Sequence, residues 1–175
     1  MKYIQQTNFF CLFHLTFSSD HNKIILPILL QDLDAKELME KCGLGGRGDI
    51  DGIKQKMNEF GPKQVANAKY NSWSWTCLHY AALAGHSNII TLLIENGADL
   101  DPKDEDGETP LRIAIKNRKY SSITTLIKFG ADLEKAKETT YQQWEFDESM
   151  REGKTQAAIA EGQRLAGENR KWKYK

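Results

Sequence analysis

Cysteine is scarce in this chain, with three residues in 175, at positions 11, 42 and 77. So few and so scattered, they exclude a disulfide framework, and an odd count suits a reducing compartment. No run of about 18 apolar residues occurs, which excludes a transmembrane helix. Excess charge of either sign is missing too, because 24 Lys plus Arg balance 24 Asp plus Glu. Bulk charge therefore draws the chain neither to nucleic acid nor to an anionic membrane. The composition is 40% hydrophobic and 27% charged. That is a globular profile, and the length allows one core.

Charge is nevertheless uneven. Between Glu95 and Glu108 stand seven acids against Lys103 alone, and Arg170–Lys175 carries four positive charges around Trp172 and Tyr174. Either stretch reads first as a solvated face or tail, and second as a feature that steers a partner.

The chain repeats itself. Thr76–Leu100 laid over Thr109–Leu133, 33 residues on, gives eleven identities in twenty-five positions without a gap. Within the first copy, Leu78, Ala81 and Ala82 at i, i+3 and i+4 predict a short helix with a narrow face of small residues. Ile89, Ile90, Leu93 and Ile94 predict a second helix with a broader apolar stripe. Gly85 falls between them and Gly97 after them, where helix ends need a residue that tolerates positive φ. Two short helices cannot hide these stripes alone, so neighbouring units must cover them.

These residues resemble the ankyrin repeat. Thr76-Cys77-Leu78-His79-Tyr80-Ala81-Ala82 is similar to the family's TPLHxAA motif, and Thr109-Pro110-Leu111-Arg112-Ile113-Ala114 is similar to a second copy. Asp104-Glu105-Asp106-Gly107 matches the turn that opens a unit, and Gly97-Ala98-Asp99-Leu100 its close. Three positions depart: Cys77 for proline, Arg112 for histidine and Arg118 for glycine. The resemblance implies an all-α solenoid of helix-turn-helix units, and that His79 hydrogen-bonds within its turn.

Two degenerate units flank the good pair. Residues 34–70 are expected to hold one, its second helix read from Arg47 through Lys54 and on to Met57 and Phe60-Gly61; 71–103 and 104–136 are the repeats. Residues 137–175 are expected to form a degenerate cap with a basic tail. Gly153-Lys154-Thr155 echoes Gly107-Glu108-Thr109 at an offset of 46, which predicts a thirteen-residue insertion within about 137–150. Residues 1–33 stand outside the pattern. Phe9–Phe17 faintly resembles a signal peptide, but His14 interrupts it and the cleavage site is poor, so a packing arm or an extension is expected instead.

Several strings tempt a chemical reading. Gly43-Leu44-Gly45-Gly46-Arg47-Gly48 fits GxGxxG, yet a charged helical segment precedes it where a strand is needed, so it reads as a turn. Gly153-Lys154-Thr155 lacks the leading glycine of a phosphate loop, since Glu148 stands there. Arg47-Gly48-Asp49 falls where a second helix begins and reads as structural. Cys77 and His79 have no second ligand pair, so no metal site is expected. No catalytic constellation, cofactor motif or small-molecule site is written here, and the chain is not expected to be an enzyme.

In ankyrin-like stacks the hairpin tips and first helices line one concave surface, and tip residues are not needed for stacking. The aligned motif puts Ser72, Trp73 and Trp75, then Glu105, Asp106 and Glu108, at the tips. It puts Tyr80, Leu83 and Ala84, then Ile113, Lys116 and Asn117, at exposed first-helix positions. The expected insertion adds Tyr141, Trp144 and Phe146. Exposed tryptophans favour an interface anchor, although one of Trp73 and Trp75 folding back as local core, or the insertion packing on the cap, are the plain alternatives. The expected function is a monomeric protein-interaction module, an adaptor or inhibitor, that is cytoplasmic or also nuclear and takes another protein as partner. The alternative is binding of an anionic surface or nucleic acid through Arg170–Lys175.

Overall fold

The computed structural model describes residues 35–43, 48–69, 72–139 and 143–173; the segment 1–33, Tyr141 and the side chains of the basic tail lie outside them. Ten helices and no strand occur among the described residues. They are α1 (Ala35–Cys42), α2 (Ile50–Phe60), α3 (Pro62–Asn67), α4 (Cys77–Ala84) and α5 (Ser87–Glu95), then α6 (Pro110–Lys116), α7 (Tyr120–Phe129), α8 (Leu133–Lys137), α9 (Gln143–Arg151) and α10 (Gly153–Lys173).

Local chemistry sets the helix ends. Asp49 caps α2, its Oδ1 accepting from the Gly52 N–H at 2.9 Å while Oδ2 accepts from Lys41 Nζ at 3.1 Å. That pair of donors, the backbone one foremost, holds the Asp49 carboxyl below its ordinary range. Thr109 caps α6, its hydroxyl accepting from the Arg112 N–H, and Pro110 occupies the first turn where a missing N–H costs nothing. Gly85 ends α4 at φ 92°. At the equivalent turn after α6, Arg118 takes the same left-handed conformation at φ 54°. That backbone is uncommon for a side chain with a Cβ, and the guanidinium is tethered by Glu152.

The helices stack in two layers. One holds the first helices α1, α4, α6 and α9 in order, the other the second helices α2, α5, α7 and α10. Short α3 and α8 occupy the connections before α4 and before α9. The core runs between the layers as Leu38, Ile53, Leu78, Ile90, Leu111 and Leu126, each fully buried. Alanines at 81, 82 and 114 keep the first helices close.

The period does not break at the C-terminal end. First helices start at 77, 110 and 143, and second helices at 87, 120 and 153, each 33 residues after the last. The expected insertion is therefore a correction: residues 143–151 are the first helix of the final unit, packed on α6, and Thr155–Ala160 lies within its second helix. The echo at offset 46 misled because the final unit has no threonine-proline start to anchor the alignment. α10 approaches α7 closely at Gly162, where a Cβ would stand 2.7 Å from the Ile127 Cβ and 2.8 Å from the Thr124 carbonyl oxygen.

The cysteines bring a second correction. Cys42 ends α1 and Cys77 opens α4, with Cα atoms 5.3 Å apart and the two sulfurs joined as a disulfide. Sequence spacing gave no sign of this, because docking of two separate helices creates the proximity.

Candidate functional site

The connections between units form a rim along one edge of the stack. The Trp73 carbonyl accepts from the Glu105 N–H at 3.1 Å, tying the first tip to the second. The Asp106 carbonyl accepts from the Thr139 hydroxyl at 2.9 Å, tying the second to the connection beyond. Between the two tryptophans Ser74 sits at φ 59°. The side chains on either side of it have opposite fates.

Trp73 is 57% exposed and Trp144 67%, the two exposed large hydrophobics among the described residues. Trp75 is half-buried. Its indole N–H donates to Asp104 Oδ2 at 2.9 Å, and its ring stacks on His79 and meets Tyr80 edge-on at 5.0 Å between centroids. Trp75 thus takes the local-core alternative. Asp104 accepts on its other oxygen from the N–H groups of Asp106 and Glu108, at 3.0 and 2.7 Å, which closes the second tip.

The expected exposure of several other residues is corrected. Tyr80 and Ile113 are buried, at 5% and 2%. Both positions in the aligned motif are open in principle, but here Trp75 covers Tyr80. Glu108 is buried and accepts from Arg112 Nε at 3.0 Å and Lys116 Nζ at 2.8 Å, so neither the tip acid nor the helix cation is open to a partner. Glu105 and Asn117 are exposed, and Leu83, Ala84 and Asp106 are half-buried. The acidic stretch is likewise less open than its sequence suggests, since Asp104 and Glu108 are buried and Asp101 pairs with Lys135 at 3.2 Å.

His79 and Arg112 occupy equivalent positions and both join one unit to the next. The Nδ1 of His79 accepts from the Thr76 N–H at 3.1 Å, within its own turn, and its Nε2 reaches the Glu108 carbonyl at 3.3 Å. With Nδ1 accepting, the proton belongs on Nε2. Burial pushes the imidazole down to about 4, against the opposing pull of the Glu108 and Pro102 carbonyls. Arg112, fully buried, donates to the Ala136 carbonyl at 3.0 Å and lies over the Phe146 ring.

Sequence reasoning missed α3. Its Asn67 donates to the Gly97 carbonyl at 2.8 Å and accepts from the Asp99 N–H at 2.8 Å, which stitches the first unit to the next. Beside it runs a shallow groove lined by Lys63, Gln64, Asn67 and Asp99. Gly61-Pro62 was the available signal, a positive-φ residue followed by a proline at a helix start. Among the described residues no group of His, Cys, Asp and Glu could hold a metal ion, and no helix is long and apolar enough to cross a membrane.

A family model of ankyrin repeats, in three copies, matches residues 38–137, and the chain belongs to the ankyrin repeat family. "Ankyrin repeat and SOCS box protein 3" of Bos taurus is 35% identical over 120 residues, which are 66% of this chain and 23% of that protein. A "Putative ankyrin repeat protein" of Rickettsia bellii is 42% identical over 59 residues, 33% of this chain and 25% of its own. "E3 ubiquitin-protein ligase XBAT33" of Arabidopsis thaliana is 35% identical over 71 residues, 39% and 14% respectively. The chain spans a quarter or less of the length of each of these relatives. Ankyrin repeats are in general protein–protein interaction modules, and the fold itself is non-catalytic.

Proposed function

We infer that this chain binds another protein through the rim, as a non-enzymatic adaptor or an inhibitor acting by steric occupation. The observation that carries the reading is Trp73, more than half exposed at a tip whose backbone is fixed by the Glu105 N–H. A large aromatic held in place by its own main chain loses little conformational freedom when a partner covers it. Glu105 and Asp106 beside it add negative charge, which suits a partner carrying apolar and basic groups together. Leu83 on α4 extends the surface onto the first helices. Trp144, at the start of the final unit, is the second candidate anchor. Tyr80, Glu108 and Lys116 support this surface from below and are not contacts. Trp75 orders the tip.

The test is affinity capture with wild type and a Trp73→Ser/Trp144→Ser variant whose circular dichroism matches wild type. A protein that wild type retains and the folded variant loses supports the rim. Equal retention by both counts against it. Binding that instead disappears on deleting Arg170–Lys175, and weakens steeply with salt, favours the anionic-surface reading.

A further inference from the structure

We propose that Cys42 and Cys77 form a reversible oxidation site whose state decides whether α1 stays docked on the repeat stack. The pair joins the last residue of α1 to the first of α4, across a sequence separation of 35 and a Cα distance of 5.3 Å, within the range a disulfide spans without moving backbone. Both residues are fully buried. The closed loop contains α2, α3 and the Trp73 tip. The proposal is independent of what the rim binds.

What holds α1 otherwise is little. It has eight residues, too few for a helix to persist by itself. Leu38 is its other fully buried apolar side chain among those described. Its ion pairs, Lys41 with Glu37 and Asp49 and Glu37 with Lys56, involve carboxylates half exposed to water, where such pairs contribute little. A cross-link between the end of α1 and the start of α4 therefore accounts for a large share of the docking. It acts mainly by removing open conformations of the segment between.

The chemistry is thiol–disulfide exchange with a small-molecule disulfide such as oxidised glutathione. Cys77 lies in the first turn of α4, and the thiolate is the form that attacks. Its sulfur attacks one glutathione sulfur and releases one glutathione thiolate. The Cys42 thiolate then attacks the Cys77 sulfur of that mixed disulfide and releases the second. Two protein thiols and one glutathione disulfide give one protein disulfide and two glutathione molecules. In reverse, burial of both sulfurs requires α1 to lift before a thiol can enter, which makes reduction gated by local opening.

The full chain is equilibrated in buffers of graded reduced-to-oxidised glutathione ratio, quenched by alkylation and mapped by peptide mass. Cys42 and Cys77 are expected to pass together from alkylated to linked to one another. Hydrogen exchange on the same samples is expected to quicken by roughly tenfold or more across residues 35–42 on reduction, with Tyr120–Phe129 unchanged. A Cys42→Ala variant should show the fast exchange in both buffers. Alkylation of both thiols even in excess oxidised glutathione, linkage of either to Cys11, or equal exchange of residues 35–42 in the two states overturns the proposal.

Discussion

The guanidinium of Arg112 lies 4.4 Å from the centroid of the Phe146 ring, fully buried, with its Nη1 on the Ala136 carbonyl and its Nε on Glu108. One side chain from the second repeat thus holds the connection, the first helix of the final unit and a buried acid at once. Arg112→Ala leaves Glu108 with Lys116 alone and opens a void above Phe146. Chemical denaturation should show a loss of about 3–5 kcal/mol, from the void itself and from the buried Ala136 carbonyl left without its donor. A loss below about 1 kcal/mol would mean that the network is not what joins these units.

His79 makes the fold sensitive to acid. Unfolded, its imidazole takes a proton near 6.5; folded, only near 4, because burial disfavours the cation. Between those values the unfolded chain binds the extra proton. The stabilisation is therefore complete above pH 6.5 and lost progressively as pH falls towards 4. Between pH 7.5 and 5 this one group should cost about 2 kcal/mol. Urea midpoints at the two values, for wild type and His79→Asn, check it: the variant should be less stable at pH 7.5 and lose less on acidification.

Gly162 lets α10 lie against α7. Gly162→Val would place a branched carbon where a Cβ already meets the Thr124 carbonyl and the Ile127 Cβ. Overpacking of this kind should lower stability by about 3 kcal/mol, read by chemical denaturation. An unchanged midpoint would show that the two helices are less closely seated.

The two tip tryptophans should separate cleanly. Trp75→Phe keeps a ring but removes the donor to Asp104, and should cost about 1–2 kcal/mol. Trp73→Ser, at an exposed site, should shift stability by under about 0.5 kcal/mol. Reversed effects would exchange their roles.

How much of this was legible before the structure varies by kind of interaction. The helix pairs follow from local periodicity, and Leu78, Ala81 and Leu93 lie where their spacing puts them. The conserved spacing of 33 from Thr76 to Thr109 was readable, but its continuation to Gln143 was not, because the final unit lacks the motif residues and keeps only the helix lengths. The tips were partly legible. Trp73 is exposed as the motif implies, whereas Tyr80, Glu108 and Trp75 are claimed by partners 4 to 29 residues away in sequence. The Cys42–Cys77 pair depends wholly on how α1 docks, and α3 lies in a connection whose equivalent between α5 and α6 holds no helix. Pairings made across units carry no local pattern in the sequence.

The most direct measurement of the central claim is binding to the captured partner by titration calorimetry, with wild type, Trp73→Ser and Trp75→Phe at matched folded concentration. An interface anchored at Trp73 predicts a loss of about 2 kcal/mol or more, some thirtyfold in affinity, for Trp73→Ser, with no change in its melting temperature. Trp75→Phe should lose stability first and affinity little. Undiminished affinity of the folded Trp73→Ser protein would contradict the rim as the binding site.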